Sequence, residues 1–541
     1  HLLSRRQRQM CIRDRIYMRN KTLLVFILGW LCSFYLLVSC GSKEQKTVRF
    51  DKAVLMDKIA GGWAGKMIGV AYGAPTEFQS LGKIIEDSIC WEPCQIENAK
   101  WEDDLYVQMT LLGVMDKYGM DADPKVYQKL FATSQYRLWH ANAQARKNYY
   151  DSIFPPQSGY PEFNYHADDI DFQIEADYIG MICPGMPQFA NDQADKIGHI
   201  MNYGDGVYGG AFVAAMYSEA FLQNNIAAII DKALLSLPAK SNYYKIVKDV
   251  IAWHKQYPDD WKKTWQKLED KWGHVDICGA GIPYNIDAKL NGAYIVLGLL
   301  YGKNDVDKTM EITTRCGQDS DCNPSSALGV LGVINGFEYL SQSYKDVLVT
   351  LQDTLFRHTD YTLKKAIDRT YYYIEQHVKE LGGQVANDYV SFIPQEPKAL
   401  PFEDAFPDIL FDKHISIDEK GYWETKGDWA KVDNALYSNQ NGNEISFTFE
   451  GSGVSLQGWW VKDGGKADVY VDGAFKRTID CYYNYGNHEH KDANIYHILG
   501  LPQGKHVVKL VVKAENRPEA SDCKIGLIGA VIFKTGKKNA L

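Results

Sequence analysis

Two short acidic segments carry the side chains best suited to chemistry. One is the run 102–104, Glu-Asp-Asp, and the other is the run 318–323, Gln-Asp-Ser-Asp-Cys-Asn. Adjacent carboxylates repel each other, so such a pair is costly unless a cation or solvent relieves the repulsion. Oxygen donors in this number are the ligands that Mg²⁺, Mn²⁺ or Ca²⁺ prefer, whereas zinc is not favoured. The two segments therefore indicate a divalent-cation site, provided that the fold brings them together.

Both acidic segments precede stretches that repeat apolar residues at helical spacing. In the second segment, Asn323 can serve as the N-cap and Pro324 as the first helical residue. Acidic residues at a helix N-terminus are stabilised by the helix dipole and by free backbone amides. Helix capping is therefore the alternative explanation for each segment taken alone.

A third acidic run covers residues 168–175 and contains Asp171 and Glu175. These two residues are four positions apart and would share one helix face, where their like charges repel. Two interpretations stay open for this run. It forms either a solvated helix face or one wall of a polar, substrate-binding cleft.

A glycine-rich loop at residues 202–210 leads into another apolar stretch. Glycine amides at a helix start suit phosphate or the close approach of a sugar, so we predict that this loop binds substrate. Its candidate contacts are Tyr203, Gly204, Tyr208 and Gly209. Asp205, in the same loop, is a candidate catalytic carboxylate.

The spacing of apolar residues along the chain changes near Pro394. Before it, apolar residues recur at three and four positions, as one buried helix face requires. Beyond Ile415 apolar and polar residues alternate, and Asp472-Gly473 is a hairpin signal. We therefore expect an all-α domain followed by an all-β jelly-roll or β-sandwich domain.

Composition excludes one class of partner. The chain has 541 residues, which is more than a single core usually serves, and a formal net charge of −9 at pH 7. That charge argues against nucleic acid as a partner.

Past residue 40 the cysteines form no CxxC zinc pattern, but Cys90 with Cys94 and Cys481 with Cys523 are candidate disulfides.

The N-terminal region predicts export. A basic start from Met18 and an apolar run at 23–38 have the form of a signal peptide, which ends in a lipobox-like Leu-Val-Ser-Cys-Gly at 37–41. Cys40 is the candidate lipidation site. A transmembrane anchor is the alternative, although the run is short for one. We expect a lipoprotein that is held to the membrane by its lipid alone, on the outer membrane, facing the periplasm or the cell surface.

Six segments follow from these patterns. Several prolines that cannot continue a helix mark a linker between the two folded domains. In chain order the predicted segments are a basic leader, taken as artefactual, at 1–17; a signal peptide at 18–40; a tether at 41–50; an all-α domain at 51–393; the linker at 394–415; and a β-sandwich at 416–541.

Three motifs, in order, resemble the ADP-ribosylglycohydrolase family, which includes the ADP-ribosyl-acceptor hydrolases. The segment 61–78 is similar to the family's glycine-rich first helix, which ends in a Gly-x-Pro-x-Glu element, here at Glu77. The run 102–104 falls where the family has Thr-Asp-Asp. The run 315–336 falls where the family has Gly-Asp-Thr-Asp-Thr-Asn at the start of a small-residue helix.

The resemblance implies glycosidic-bond hydrolysis assisted by two divalent cations, usually Mg²⁺, with Mn²⁺ as the substitute. Glu77 would lie beside the cations as a ligand, a substrate contact or a base. By position, the resemblance makes Asp103, Asp104, Asp319 and Asp321 the metal ligands, and Glu102 is a further candidate ligand. With the candidates from the other segments, the predicted catalytic residues are Glu77, Asp104 and Asp205, and the further predicted substrate contacts are Asp171, Glu175 and Asn323.

Three positions depart from the family pattern: Val70 replaces a frequent Asp, and Glu102 and Cys322 each replace a Thr. Glu102 adds an oxygen donor, whereas the Cys322 thiol is a poor ligand for a hard cation. Three activities stay open. They are hydrolysis of a ribosyl or other glycosidic bond at the cell envelope, non-catalytic glycan binding, and release of ADP-ribose from a modified protein.

The C-terminal segment resembles the galactose-binding-like jelly rolls that are attached to many secreted glycoside hydrolases. The resemblance rests on residues 453–460, 469–473 and 500–510. The aromatic residues of this segment either stack on a sugar or pack the sandwich; they are Trp459, Trp460, Tyr482, Tyr483 and Tyr485. A glycan or a small glycoside is the expected substrate.

Overall fold

The computed structural model describes residues 46–536. Residues 46–48 and 392–394 belong to a small compact unit, and 49–391 with 395–536 belong to a large one, to which the site described below belongs. Within the described range, no helix combines the length and apolar character that a membrane span needs. Cys40 and the predicted signal peptide lie outside the described residues.

Sixteen α-helices occupy the described chain up to residue 380, as the apolar spacing predicts. They are α1 (Lys52–Gly73), α2 (Asp103–Tyr118), α3 (Pro124–Thr133), α4 (His140–Tyr150), α5 (Asp171–Glu175), α6 (Asp177–Met181), α7 (Pro187–Gly198), α8 (Asp205–Ala220), α9 (Ile226–Ala233), α10 (Asn242–Gln256), α11 (Trp261–Trp272), α12 (Ala288–Gly302), α13 (Val306–Arg315), α14 (Cys322–Asn335), α15 (Gln342–Leu351) and α16 (Leu363–Glu380). The all-α prediction is confirmed.

Helices α1 and α14 pack backbone to backbone at the centre of this domain. Glycines of α1 recur at every fourth residue from Gly61 to Gly73, so they share one face. A methyl group added at Gly61 would lie 2.2 Å from the carbonyl oxygen of Gly332, and one added at Gly73 would lie 2.0 Å from that of Ser320. Only glycine permits this approach, which fixes the loop before α14 against the end of α1.

Fourteen β-strands are described. They are β1 (Val48–Asp51), β2 (Gln384–Val385), β3 (Tyr389–Phe392), β4 (Ile409–Ser416), β5 (Trp423–Lys426), β6 (Ala430–Val432), β7 (Ala435–Ser438), β8 (Glu444–Gly451), β9 (Gly453–Trp460), β10 (Lys466–Val471), β11 (Ala474–Asp480), β12 (His490–Ile498), β13 (Gly504–Val512) and β14 (Ile525–Thr535). The strands from β4 onward form the C-terminal domain.

Two antiparallel sheets make up this domain, which confirms the predicted β-sandwich. One has the strand order β11-β10-β13-β8-β5, and the other has the order β12-β9-β14-β7-β6, with β4 paired to β14. Buried and partly exposed residues alternate along β8 and β10, so each of these strands has one buried face. Strands β10 and β11 meet at Asp472 and Gly473, whose φ angles of 51° and 81° suit a two-residue hairpin turn.

The sandwich and the helical domain share an apolar cluster. Tyr165 and Ile277 of the helical domain are buried together with Ile409 of β4 and Phe533 of β14. Strand β4 therefore begins inside the segment 394–415 that the prolines predict to be a linker. That segment also hydrogen-bonds along the helical domain, for example from the amide of Leu400 to the carbonyl of Ser236, 2.9 Å apart.

Two expectations for the side chains of the sandwich and the cysteines are wrong. Cys90, Cys94, Cys481 and Cys523 are all free thiols, so neither candidate disulfide forms. The aromatic residues proposed as a sugar-stacking platform are all buried: Trp459, Trp460, Tyr482, Tyr483 and Tyr485. They pack the sandwich and its contact with the helical domain, as when Tyr485 stacks on Tyr150 with ring centroids 5.1 Å apart.

Candidate active site

The first acidic segment begins helix α2. Glu102 is the N-cap in an extended conformation, yet its side chain caps no helix amide, so it stays available for other contacts. Asp104 is completely buried. Its Oδ2 accepts a hydrogen bond from the thiol of Cys322 at 3.0 Å, and its Oδ1 has no hydrogen-bond partner among the described residues. An unpartnered, buried carboxylate oxygen is expensive without a cation.

The second acidic segment is held by a tight turn beside the end of α1. Gly317 and Gln318 have φ angles of 80° and 55°. The amide of Gln318 donates to the carbonyl of Ser80 at 3.0 Å, and the Gln318 carbonyl accepts from the amide of Phe78 at 3.0 Å. This reciprocal pair ties the segment to the chain that follows Glu77.

Helix α14 starts one residue after Asp321, which is its N-cap and accepts a hydrogen bond from the amide of Cys322 at 2.9 Å. The predicted start at Asn323 and Pro324 is therefore wrong. The Asn323 side chain is buried and donates to the Asn291 Oδ1 at 2.9 Å. Asn323 does not line the cleft described below, so the geometry gives it a packing role in place of the predicted substrate contact.

The two acidic segments converge, as the cation hypothesis requires. Ligand atoms of Asp104, Asp321 and Cys322 lie within 4.8 Å of one another, and those of Glu77, Asp319 and Asp321 do the same. Asp321 belongs to both groups and therefore links them. Asp103 lines the same cleft as Glu77 and Asp319.

The carboxyl groups of the cluster raise one another's pKa. Partial desolvation and the charges of Asp321 and Asp103 raise the pKa of Glu77, at the mouth of the site, to about 9. Burial raises the pKa of Asp319 to about 8, and burial with the charge of Asp104 raises the pKa of Asp103 to about 7. Without a counter-ion these groups cannot all be ionised at neutral pH, and a bound divalent cation would favour their charged forms.

A buried lysine lies behind the cluster. Lys66 of α1 is fully buried, and its Nζ lies 2.9 Å from Asp177 Oδ2. Its charge also opposes the burial that raises the pKa of Asp104. Gln108 donates to the backbone carbonyls of Asp104 and Ile174, at 2.6 and 2.9 Å, and so fixes the first turn of α2.

The donor chemistry fits a hard cation. The available groups are carboxylates of Glu77, Asp103, Asp104, Asp319 and Asp321, which suit Mg²⁺ or Mn²⁺. The unpartnered Oδ1 of Asp104 is a free donor that a cation would satisfy. The thiol of Cys322 already donates to Asp104 and is the weak donor of the group.

A cleft of about 380 Å³ opens onto these carboxylates. Its lining combines acidic, aromatic and apolar side chains: Glu77, Phe78, Asp103, Trp139, His140, Asn142, Ile170, Asp171, Ile174, Tyr284, Ile286, Asp319 and Cys322. A second cleft of about 500 Å³ lies between the sandwich and the helical domain, lined by Arg477 and His497 among others, and holds none of the clustered carboxylates. The smaller cleft is therefore the candidate active site.

Several cleft residues were not predicted from the sequence, among them Trp139, His140 and Tyr284. His140 Nε2 and the Tyr284 hydroxyl lie 2.6 Å apart, and Trp139 precedes His140 on the cleft wall. Burial lowers the pKa of His140 to about 4, so its ring is neutral at physiological pH. These residues are isolated in sequence and form no motif. Only the fold assembles them: Gln318 Oε1 accepts from the amide of Asn285 at 3.0 Å and so positions the loop that carries Tyr284.

The third acidic run does not form a solvated helix face, because Asp171 and Glu175 are both buried. Asp171 lines the cleft and accepts hydrogen bonds from the amides of Ala141 and Asn142, at 3.2 and 3.0 Å. It thereby caps α4 and fixes His140. Glu175 accepts from the side chain of Asn142 and does not line the cleft, so its role is to hold that side chain.

The glycine-rich loop lies elsewhere. Its candidate substrate contacts Tyr203, Gly204, Tyr208 and Gly209 do not line the cleft. The Tyr208 hydroxyl donates to the carbonyl of Pro401 at 2.7 Å, and the amide of Gly204 donates to Glu403 at 3.2 Å. The amides that suit a phosphate are therefore used to hold residues 401–403.

Two residues of this loop have structural partners in place of the predicted roles. A methyl group at Gly209 would lie 2.6 Å from Gln173 Oε1, so this glycine permits close helix packing. Asp205 accepts from the amide of Tyr243 at 3.0 Å at the start of α10. Burial raises the pKa of Asp205 to about 6, but this carboxylate does not line the cleft.

Comparisons with known proteins give one family match and several structural neighbours. The family model described as ADP-ribosylglycohydrolase matches residues 51–373. A structure described as an ADP-ribosylglycohydrolase-related protein complex is 14% identical and matches over 60% of this chain and 99% of its own, with a TM-score of 0.43. No curated protein matches the chain.

The C-terminal domain has structural matches of its own. The CBM36-1 domain of a multidomain xylanase from the hindgut metagenome of Trinervitermes trinervoides is 16% identical over 23% of this chain and 97% of its own, with a TM-score of 0.17. The carbohydrate-binding module CBM36, in complex with calcium and xylotriose, is 10% identical over 23% and 100%, with a TM-score of 0.17.

Proposed function

The chain belongs to the ADP-ribosylglycohydrolase family, and from this premise we propose that it is a divalent-metal-dependent hydrolase of a glycosidic bond at the cell envelope. Membership of the family gives glycosidic-bond hydrolysis as the reaction class. The metal requirement, the envelope location and the substrate class are our proposals. The substrate we propose is an extracellular glycan, glycoside or ribosyl compound.

One observation carries the metal requirement. Two segments more than 200 residues apart converge beside the cleft, where ligand atoms of Asp104 and Asp321 lie within 4.8 Å of each other. The repulsion between these carboxylates is unfavourable, and the groups add no apolar packing that would offset it. Such an arrangement is favourable when cations neutralise it.

The residues divide by position. Asp103, Asp104, Asp319 and Asp321 would hold the cations. Glu102, the N-cap of α2, directly precedes Asp103 and is a further candidate ligand. Bound Mg²⁺ would supply Lewis-acid polarisation of sugar hydroxyls and a lowered pKa for a coordinated water. Burial raises the pKa of Asp104, and the charge of Lys66 opposes this shift and so favours the ionised form that would bind a cation.

Glu77 is the residue we assign as general base. It lies at the mouth of the cleft beside Asp319 and Asp321, and its elevated pKa makes its carboxylate a stronger proton acceptor than an ordinary glutamate. Its carboxylate oxygen would take the proton from the attacking water. Cations bound to the neighbouring aspartates would lower this pKa towards the working pH.

The other residues that line the cleft would bind the sugar. Trp139 and Phe78 supply flat apolar surfaces, while Asn142 and the His140–Tyr284 pair supply polar groups. Aromatic faces with a few fixed polar groups are the usual composition of a sugar or ligand pocket. A volume of about 380 Å³ is within the range for a small ligand or one end of a glycan.

The location follows from the lipobox-like sequence at Cys40. A protein that is tethered outside the cytoplasm meets glycans and glycosides, whereas ADP-ribosylated proteins are expected mainly inside the cell. This argument favours an extracellular glycoside as the substrate. Globomycin-sensitive processing and palmitate labelling that depends on Cys40 would support the lipid anchor, and secretion of an unlabelled chain would contradict it.

The decisive test combines Asp103→Ala with Asp321→Ala. The double variant is assayed against a panel of glycosides and nucleotide sugars, with and without Mg²⁺, beside a control that carries Glu86→Gln and Glu97→Gln on the exposed surface. We expect at least a 100-fold loss of kcat/KM in the double variant and none in the control, because the double variant loses one proposed ligand from each acidic segment. Full activity of the double variant in chelator would sink the proposal.

A second function is favoured by one observation, the thiol of Cys322 among the oxygen donors. The site would then bind a glycan without hydrolysing it. Calorimetry with Mg²⁺ or Mn²⁺ separates the two functions, because the hydrolase requires metal uptake by the helical domain. Glycan binding without metal uptake or turnover would support the binder.

A further inference from the structure

A second group of metal-binding side chains lies beside the cleft and differs from the first in its chemistry. A ring nitrogen of His166, a carboxylate oxygen of Asp169 and the sulfur of Cys278 lie within 4.8 Å of one another. His166 Nδ1 is 2.7 Å from Asp169 Oδ2. The group thus offers one nitrogen, one oxygen and one sulfur donor, whereas the first cluster offers carboxylates and the weak donor Cys322.

Backbone hydrogen bonds fix all three donors. The amide of Asp169 donates to the carbonyl of His166 at 3.0 Å, so these two residues share one turn. The amide of Cys278 donates to Asp276 Oδ1 at 2.7 Å, and Asp276 Oδ2 accepts from the amide of Ile286 at 2.8 Å. Asp276 therefore clamps the loop that carries Cys278, as outer residues around a metal site commonly do.

An independent observation points to a missing partner at this position. Asp169 has no exposed surface, and its Oδ1 has no hydrogen-bond partner among the described residues. An unpartnered carboxylate oxygen at this depth is costly, and a cation would remove that cost. His166 and Cys278 are only partly buried, so the group is not closed to a cation from solvent.

Further donors lie on the cleft side of Asp169. Ligand atoms of His140 and Asp171 lie within 4.8 Å of Asp169 and of each other. His140 Nε2 is engaged by the hydroxyl of Tyr284, which leaves its other ring nitrogen as a donor. A fourth ligand for a cation at Asp169 can therefore come from His140 or from water.

We propose that His166, Asp169 and Cys278 bind a borderline divalent cation, Zn²⁺, in a site separate from the carboxylate cluster. Imidazole, carboxylate and thiolate donors are the set that zinc prefers, and Mg²⁺ does not compete for sulfur. The site adjoins Asp171 and His140 on the cleft wall and so would hold that wall in place. This proposal does not depend on the hydrolase reaction.

The test uses Co²⁺ as a spectroscopic probe of the sulfur ligand. The reduced, chelator-treated full chain is titrated with Co²⁺ in the presence of saturating Mg²⁺, which occupies the carboxylate cluster. We expect one equivalent of Co²⁺ to produce the near-ultraviolet charge-transfer absorption of a cobalt–thiolate bond, and Zn²⁺ to displace it. Cys278→Ser should abolish the band, and His166→Ala should weaken Co²⁺ binding by about tenfold or more.

The matched control is Cys90→Ser with Cys94→Ser, because those two thiols are exposed and close in sequence and could bind Co²⁺ at the surface. The control should keep the band. A band that is absent from the wild type, that persists in a folded Cys278→Ser variant, or that disappears in the control would overturn the proposal. If Cys278→Ser fails to fold, Asp169→Asn serves in its place, and unchanged Co²⁺ affinity in that variant would equally overturn it.

Discussion

The thiol of Cys322 donates a hydrogen bond to Oδ2 of Asp104 across 3.0 Å, and so joins the two acidic segments at the centre of the cluster. Cys322 is the first residue of α14, and Asp104 lies in the first turn of α2. The contact brings together two helix N-termini whose dipoles favour negative charge. It also places a weak donor where a hydroxyl would be stronger.

Replacing this thiol should strengthen metal binding. In Cys322→Ser the hydroxyl donates a stronger hydrogen bond to ionised Asp104, so we expect the Mg²⁺ dissociation constant to fall about fivefold, equal to ~1 kcal/mol. Isothermal titration calorimetry measures the change. Cys316→Ser is the matched control, because that buried thiol donates to the carbonyl of Ile312 away from the cluster. Unchanged or weaker Mg²⁺ binding in Cys322→Ser would contradict this role for the thiol.

The stability of the metal-free protein should fall as the pH rises. Glu77 and Asp319 have folded-state pKa values of about 9 and about 8, above those of the unfolded chain. The folded state therefore binds more protons between the unfolded and folded pKa values, and the stability that these groups contribute is lost as the pH rises through that window. We expect the melting temperature in chelator to decline from about pH 4.5 to about pH 9, as the pH passes from the unfolded to the folded pKa values.

Mg²⁺ should reverse this pH dependence, because it binds the deprotonated carboxylates and its affinity rises with pH. Scanning calorimetry with and without Mg²⁺ provides the comparison, and proton release on Mg²⁺ binding can be measured in buffers of different ionisation enthalpy. A melting temperature that rises with pH in chelator would show that the carboxyl groups are not arranged as described.

A single methyl group at the end of α1 should disrupt the site. In Gly73→Ala the new Cβ would overlap the carbonyl oxygen of Ser320, a backbone atom that cannot rotate away. We expect a loss of about 2–3 kcal/mol in the free energy of unfolding and weaker Mg²⁺ binding, since the loop that carries Asp319 must move. Denaturant unfolding and calorimetry measure both effects.

Gly113→Ala is the matched control for that substitution. Gly113 lies within α2, and a methyl group there would approach only a ring carbon of Tyr361, at 3.7 Å. Alanine should therefore raise the free energy of unfolding by about 0.5–1 kcal/mol. Equal effects of the two substitutions would show that the α1–α14 contact is looser than the structure has it.

The sandwich should contribute to substrate affinity at the rim of the cleft. The ring of His488 lies 5.0 Å from that of Trp139, and His488 Nε2 lies 3.1 Å from an Nη atom of Arg137. On the proposed function, His488→Ala should raise KM for an extended glycan about fivefold, equal to ~1 kcal/mol, and leave kcat unchanged.

His506→Ala provides the comparison for this prediction. His506 bonds to Asp472 and to the carbonyl of Pro502 within the sandwich, and it does not line the cleft. Kinetic constants of this variant should match those of the wild type. A loss of kcat in His488→Ala, or an equal rise of KM in both variants, would argue against a rim role.

The carboxylate cluster could be predicted from the sequence because its members occur as dense local runs at helix starts. Two unfavourable pairs of like charge, such as Asp319 with Asp321, demand an explanation even before the fold is known. The spacing of apolar residues also predicts the all-α domain and the β-sandwich. A repeat of 3.6 residues in a helix and of 2 residues in a strand can be seen within a short stretch of sequence. The start of α14 was misplaced by two residues, because Asp321 outcompetes Asn323 as the cap.

The remaining part of the site could not be predicted, because it depends on contacts between distant segments. His140 and Tyr284 lie 144 positions apart and have no local signature. The glycine-rich loop does not fit its predicted role in substrate binding, for a physical reason. Free amides and small residues suit a bound anion and a neighbouring chain segment equally, and here the loop contacts residues 401–403.

The apolar cluster that the two domains share affects whether they can be separated during evolution. Ile409 and Phe533 cover Tyr165 and Ile277, whose neighbour Cys278 lies on the loop that leads to Tyr284. A gene shortened before β4 would therefore encode a helical domain with an exposed apolar patch, and the loop that leads to Tyr284 would lose its packing. The sandwich is thus unsuited to exchange between enzymes as a portable module, and we expect the two halves to descend together.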